Sequence, residues 1–480
     1  MSSAEGARPV VSHPAFRRLP PVHEVLQQPE LAGVRAARGR ATVLRTVRAA
    51  LAEARELLAR GEAPPVDPSS LARRATSLLM AERPSLRPVI NASGVLLHTG
   101  LGRAPLAEEA VRAVAAVARG YCNLEFDLAR NERGQRTAGV AELLARLTGA
   151  EAATVVNNNA GATVLSLRAL ASGREVIVSR GQLVEIGGSF RLPEIFEVSG
   201  AKLREVGTTN RTRLSDYERA IGPDTAALLR VHTSNYRIVG FTEDVPIAGL
   251  CALARERGIQ AIDDVGSGAL RPGQPPHISG EPTIAEGLAA GADLVLASGD
   301  KLLGGPQCGL IIGSHEAVTR VERDPLMRAL RVDKLTLAAL EATLRLALDP
   351  DLASRRIPLW AFLSASADSL GARSATLAER FRSELALDAT VEATHAFLGG
   401  GSVPAEALPS SGVRVAPPCS AANLNEGEWA ALLRSGDPPV VPRVHRGSVL
   451  IDLRAVPESN DVHLFEAVRR AADWARTGSP

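Results

Sequence analysis

From Pro88 onward the chain repeats one pattern: a short apolar run, a Gly/Ser/Asn turn, then a helical stretch. The segments are AATVVNNNAGATVLSLRALA, REVIVSRGQ, ALLRVHTSNY, IQAIDDVGSG, ADLVLASGDK and CGLIIGS. Apolar runs this short and continuous are strands buried on both faces, and their alternation with helices implies an α/β fold with a mainly parallel sheet. Ligands bind at the carboxyl ends of strands in such sheets, which is where the polar turns fall. A chain of 480 residues has room for more than one domain. Residues 13–60 carry apolar positions at helical spacing, GEAPPVDPSS reads as a linker, and LARRATSLLMAE as a further helix. The expected organisation is therefore a helical domain over 1–85, a large α/β domain over 86–345 and a small α+β domain over 346–480. The last of these begins after the helical LTLAALEATLRLAL and contains strands such as GSVLIDLRAV.

Charge is uneven along this plan. Residues 1–90 hold 14 arginines against 8 acidic residues, a net of +6, while the remainder is net −4. A basic front suits an anionic polymer, since phosphate neutralisation drives nucleic-acid affinity without sequence readout; an arginine-rich solvated helix face is the plainer reading. Apolar residues make up 45% and no run is long enough to span a bilayer, so a cytoplasmic protein without a membrane segment is expected. The four cysteines are widely spaced, with no pattern for a disulfide framework or a zinc site.

Lysine is the informative residue. Only Lys202, Lys301 and Lys334 stand against 52 arginines, and arginine cannot replace an amine that must form an imine. Lys202, in SGAKLREVG, reads as a surface residue, and Lys334 as the start of a helix. Lys301 follows the strand ADLVLA and precedes a Gly-rich turn, with Ser298 three residues upstream to hold a cofactor phosphate. Asp264, at the end of IQAID, would keep a pyridine nitrogen protonated. Asp263 is its rival, because neighbours on a strand point to opposite faces; the tight turn Val265-Gly266-Ser267-Gly268 favours Asp264. Asn158, Asn159, Ala160 and Gly161 open a helix with little bulk over its amides, an anion cradle, although plain N-capping by asparagine explains them too. Cradle, aspartate and lysine occur in the order of the aspartate-aminotransferase-like (fold type I) enzymes that use pyridoxal 5'-phosphate.

Longer segments carry a more specific likeness. VINASGVLLHTGLGRAPL, YCNLEFDLARNERGQR, VVNNNAGA, SRGQLVEIGGSFR, EVGTTNRT, HTSNYRIVGFT, SGDKLLGGPQCG and DPLMRALRVDKLTLAALEATLRL resemble the bacterial selenocysteine synthase family, densely over 88–345 and more loosely through GGGSVP and IDLRAV. The resemblance implies pyridoxal-phosphate-dependent elimination of the seryl hydroxyl of seryl-tRNA(Sec) and addition of selenium from selenophosphate. It implies Lys301 as the cofactor lysine and Asp264 as the pyridinium partner. Arg103, Arg328 and Arg331 become the anion site near the reacting centre, and Arg328 and Arg331, three apart on an expected helix, should share a face. Thr208, Thr209 and Asn235 are implied near the substrate. Gln182 takes the ring-covering position that other members of the wider class give to histidine or an aromatic residue. The family further implies a front domain that binds tRNA and a large homo-oligomer built of dimers. Two other readings stay open: a pyridoxal-phosphate lyase acting on a free amino acid, and a tRNA-binding or assembly protein on an inactive scaffold.

Overall fold

The computed structural model describes residues 14–81, 84–186, 190–400, 407–419 and 424–477. Residues 187–189 of SRGQLVEIGGSFR and 401–404 of GGGSVP therefore lie outside the described residues. The chain divides into two compact units, residues 1–88 and 89–480.

The first unit is helical. Helix α1 (Arg40–Ala59) buries Val43, Val47, Ala50, Leu51, Ala54 and Leu58, a stripe at helical spacing. This stripe packs on Leu71, Ala72 and Ala75 of α2 (Pro68–Ala81), with Val25 and Leu31 completing the core. Proline at the first position of α2 costs no hydrogen bond, and Asp67 accepts from the Ser70 amide at 2.8 Å to cap it. The helical stretch read over 13–60 is broken into pieces, because Gly39 adopts φ 77° between Ala32–Arg38 and α1. Apolar spacing runs on through Gly39, so periodicity alone does not reveal the break.

The second unit is built on a seven-stranded sheet: β1 (Ala152–Val156), β2 (Glu175–Ser179), β3 (Lys202–Val206), β4 (Thr225–Val231), β5 (Gln260–Gly266), β6 (Leu294–Ser298) and β7 (Gly309–Gly313). Their spatial order is β1-β7-β6-β5-β4-β2-β3. Neighbours pair in parallel except where β7 runs antiparallel between β6 and β1. This mostly parallel sheet is the α/β core expected from the apolar runs. The reversal of β7 matters for position, because it sets Gly309 opposite both Ser298 and Val156, joining the carboxyl ends of β6 and β1. Only glycine fits there: a Cβ would stand 2.2 Å from the Asn158 carbonyl oxygen.

A second sheet of five strands takes the order Ile90–Ala92, Val440–His445, Ser448–Asp452, Ala407–Val415, Ala389–Phe397. Helices Ala367–Leu385, Glu426–Ser435 and Asp461–Thr477 cover it, burying Phe381, Trp429 and Phe465 against Val413 and Ile451. Ile90–Ala92, which lies within the stretch read as the large domain, pairs in parallel with Val440–Pro442 and so belongs to this second sheet. A three-residue strand carries too little pattern to reveal that. Among the described residues no helix is long and apolar enough to cross a membrane.

Candidate active site

The carboxyl ends of β1, β5 and β6 bring together the residues singled out for cofactor chemistry. Asp264 is 5% exposed near the end of β5, and its carboxylate accepts from Asn159 Nδ2 at 2.9 Å and from Thr163 Oγ1 at 3.1 Å. Both donors lie in the first turns of α3 (Asn159–Ala171), which follows β1. Burial pushes the Asp264 carboxyl above its usual range, against the pull of these two bonds and of the nearby Lys301 charge. Lys301, in the turn after β6, is 4% exposed. Burial holds its amine below the usual lysine range, the Arg103 guanidinium adds to the effect, and Asp264, Asp300 and Glu281 oppose it. A lysine with a lowered pKa is more often neutral and hence nucleophilic.

The other two lysines do different work. Lys334 Nζ donates to the carbonyls of Val117 and Gly120, each at 2.7 Å, and so satisfies acceptors at the end of helix Glu108–Ala118. Lys202 is exposed on β3. The two aspartates also separate by face. Asp263 is fully buried in a two-bond pair with Arg230, Nε to Oδ1 and Nη2 to Oδ2 both at 2.7 Å. Replacing it should therefore cost stability rather than chemistry. Asp263→Asn is expected to lower the unfolding free energy by about 3 kcal/mol in chemical denaturation, because the partly buried Arg230 loses its counter-charge. Cofactor absorbance in the folded protein should be unchanged; loss of absorbance without loss of stability would reassign the pyridine partner to Asp263.

The cradle has the form of a capped helix start. The Asn158 side chain accepts from the Gly161 amide at 2.8 Å, so N-capping is present, while Asn158, Asn159, Ala160 and Gly161 stay partly open to solvent. Several buried polar atoms close to this place lack hydrogen-bond partners among the described residues: Asn159 Oδ1, Arg103 Nε and Ser267 Oγ. Such atoms are costly unless something else meets them, and they fit a polar cofactor with a phosphate and a ring nitrogen. Gly268 is held at φ 80°, where a Cβ would lie 2.2 Å from the Ser298 carbonyl oxygen, and Leu302 N donates to Ser267 O at 2.8 Å. The two turns thus lock together and fix Ser298 and Lys301 beside Asp264.

The arginines are arranged differently from expectation. Arg103, itself at φ 61°, donates from Nη1 to Asp300 Oδ2 at 2.7 Å and so stands with Lys301. Arg328 lies in the helix Leu326–Leu330, but Arg331 has left it: its backbone is extended and bridges Val156. The shared helix face expected for this pair is therefore corrected, because Leu330 gives its carbonyl to Asn157 N at 2.9 Å instead of continuing the helix. The two still line one cavity of about 370 Å³, with Arg133 and Arg136 and not with Arg103. Glu125 gathers this cluster, bonded by Arg136 at 2.6 Å and Arg133 at 2.9 Å, with Arg331 at 3.5 Å.

Gln182 is buried with both ends of its amide in use, Oε1 accepting from Val231 N at 3.0 Å and Nε2 donating to Asp244 at 3.1 Å. It shares a cavity of about 250 Å³ with Thr209. Thr208 accepts from the Arg211 amide at 3.2 Å, and Asn235 donates to the Glu185 carbonyl at 2.8 Å; all three of these substrate candidates are exposed. Sequence reading missed Asp300 and Thr163. Asp300 had a signal, as an acid adjacent to the chosen lysine, while Thr163 needed only the observation that it lies one helical turn beyond Asn159.

Comparisons with known proteins bear on this arrangement. A family model described as L-seryl-tRNA selenium transferase matches residues 89–457, and one described as selenocysteine synthase N terminal matches 16–55. The chain belongs to the L-seryl-tRNA selenium transferase family. It is similar to the L-seryl-tRNA(Sec) selenium transferase of Desulfomicrobium baculatum, 52% identical over 82% of this chain and 84% of the relative. It is also similar to that of Moorella thermoacetica, 46% identical over 96% and 98%. Among solved structures, a D-glucosaminate-6-phosphate ammonia-lyase matches with a TM-score of 0.56 at 22% identity, covering 81% of this chain and 97% of that one. That likeness speaks for the fold, which is the aspartate-aminotransferase-like architecture expected from the sequence. For this member of the selenium transferase family, the Lys301–Asp264–Asn159 group occupies the strand ends where the fold places its chemistry.

Proposed function

We propose that this chain converts L-seryl-tRNA(Sec) to L-selenocysteinyl-tRNA(Sec), with pyridoxal 5'-phosphate held at Lys301 and selenophosphate as selenium donor. The observation that carries the reading is the buried Lys301 beside Asp264, itself bonded by Asn159 and Thr163, in a chain that matches its family over most of its length. When bound, pyridoxal phosphate supplies an electron sink that lets the seryl α-carbon lose a proton and the β-hydroxyl depart. Lys301 Nζ holds the cofactor and then carries that α-proton. Asp264 keeps the ring nitrogen protonated, Gln182 covers the ring, and Asn158, Asn159, Ala160, Gly161 and Ser298 take the phosphate. Arg103, Arg328 and Arg331 attract the incoming oxyanion, while Thr208, Thr209 and Asn235 line the approach of the seryl group. The enzyme works in the cytoplasm as a large homo-oligomer built of dimers.

The front unit binds the tRNA. Its α1 exposes Arg48 and Arg55, two turns apart, and Arg35, Arg38, Arg40 and Arg60 are exposed as well. Deleting residues 1–80 is expected to weaken seryl-tRNA binding by about tenfold or more at low salt and to flatten the salt dependence of what remains, since fewer counterions are released. Cofactor absorbance should persist, because its residues all lie in the second unit. Binding isotherms at two salt concentrations check this. Unchanged tRNA affinity together with turnover of free serine would favour the free-amino-acid lyase.

A further inference from the structure

The cavity that Arg328 and Arg331 share with Arg133 and Arg136 is not an open basic patch, because one carboxylate already sits among the guanidinium groups. Glu125 Oε1 accepts from Arg136 Nη2 at 2.6 Å and from its Nε at 3.1 Å, and Arg331 Nη1 stands 3.5 Å from the same oxygen. Glu125 Oε2 accepts from Arg133 Nη2 at 2.9 Å. Arg136 is braced separately, its Nη1 donating to the Val332 carbonyl at 2.6 Å. The cavity also adjoins the cofactor cradle. Leu330, next to Arg331, gives its carbonyl to Asn157 N at 2.9 Å, and a Cβ on Gly161 would meet the Leu330 side chain at 3.4 Å. Glu125, Arg133 and Arg136 have no part in the chemistry assigned above.

Arginine forks bind carboxylates and phosphate-like oxyanions in the same manner, by paired N–H groups on paired oxygens. Glu125 therefore takes up the donors that an incoming oxyanion needs. Its bonds to Arg136 and Arg133 hold the carboxyl below its usual range, so it is charged at neutral pH. The pairing is nevertheless weak enough to be exchanged, since Glu125 is 29% exposed and Arg133 79%, and ion pairs this open to water contribute little. A second acid in the wall, Asp324, is engaged elsewhere, 3.3 Å from Arg168 Nε. Four guanidinium groups thus face one exchangeable carboxylate, an arrangement that a ligand with two charges and more than two oxygens satisfies better than Glu125 does.

We propose that Glu125 is a specificity-determining residue, an internal stand-in for the oxyanion that holds the arginine cavity until a dianionic, phosphate-like group displaces it. The inference rests on the reading of Arg328 and Arg331 as the oxyanion site. A monoanion gains nothing by the exchange, because it brings no more charge than the carboxylate it must displace. A dianion brings more charge and more acceptor oxygens, so it alone repays the displacement. The same device clears the site. Inorganic phosphate has the charge and shape of the donor's phosphate and would otherwise stay on the arginines; Glu125, tethered beside them at high effective concentration, competes for its place.

The test uses cofactor-loaded, full-length protein with inorganic phosphate as the probe, its binding followed by calorimetry and by inhibition of selenium transfer. Glu125→Gln should bind phosphate about tenfold more tightly than the wild type, because a competing charge about 4 Å away is gone. Glu125→Ala should show the same gain, and adding Arg136→Ala to either should reverse it. Glu322→Gln is the control: this exposed acid lines the same cavity without an ion pair to these arginines among the described residues, and its loss should change affinity by less than about twofold. Unchanged or weaker phosphate binding by both Glu125 variants would overturn the proposal. An equal gain in Glu322→Gln would overturn it too, by reducing Glu125 to one charge among several. Selenium transfer by the wild type without a gain in the Glu125 variants sinks this inference alone, whereas the gain without any selenium transfer sinks the proposed function and leaves Glu125 as the stand-in for an oxyanion.

Discussion

Lys301→Ala is expected to abolish the visible absorbance of bound cofactor and to reduce turnover by on the order of ten thousandfold or more, as loss of a covalently acting residue does. The fold should survive. Lys301 is buried in a turn already held by the Leu302 N to Ser267 O bond and by the Trp360 Nε1 to Leu302 O bond at 2.8 Å. Removing the side chain also relieves a buried amine that its surroundings keep from ionising freely. The control is Lys334→Ala, which loses two bonds to the end of Glu108–Ala118 and should cost stability of about 1–2 kcal/mol with chemistry intact. An active, coloured Lys301→Ala protein would remove the basis for the whole site.

The second large effect is expected at Asp264. Asp264→Asn keeps the bulk and can keep one of the bonds from Asn159 and Thr163, yet the amide cannot hold a proton on a ring nitrogen. Elimination in single turnover should slow by about a thousandfold, in line with several pKa units of lost stabilisation. Stability should behave in the opposite sense to Asp263→Asn. Burial opposes the charge on both aspartates, but only Asp263 is bonded to an arginine, whereas Asp264 accepts from the neutral Asn159 and Thr163, so the neutral amide at Asp264 should leave the cofactor-free protein as stable as the wild type or slightly more so. Measuring both variants for melting and for single-turnover elimination separates a structural aspartate from a functional one on adjacent positions of one strand.

The amino-acid sequence makes some of this legible and hides the rest. The strands can be read directly, because AATVV, EVIVS and LVLAS are continuous apolar runs that end in polar turns, a pattern with few other meanings. The antiparallel course of β7 cannot, since GLIIG has the same composition whichever way it runs. Lys301 stands out through the scarcity of lysine, and the choice of Asp264 over Asp263 rests on a turn that the fold does place against Ser298. The arginine pair misleads because a spacing of three is a helical signal, whereas the chain leaves the helix at Leu330 to bond Asn157. Glu125 and Arg331 lie far apart in sequence and meet only through the fold, so no spacing could join them.

The central claim is the conversion of an amino acid while it is esterified to tRNA. Its most direct test is to incubate the cofactor-loaded protein with seryl-tRNA(Sec) and selenophosphate, strip the ester and identify the released amino acid by mass. Selenocysteine in place of serine, dependent on Lys301, is the result expected here. Recovery of unchanged serine from the tRNA, with turnover of free serine in the same preparation, would contradict it.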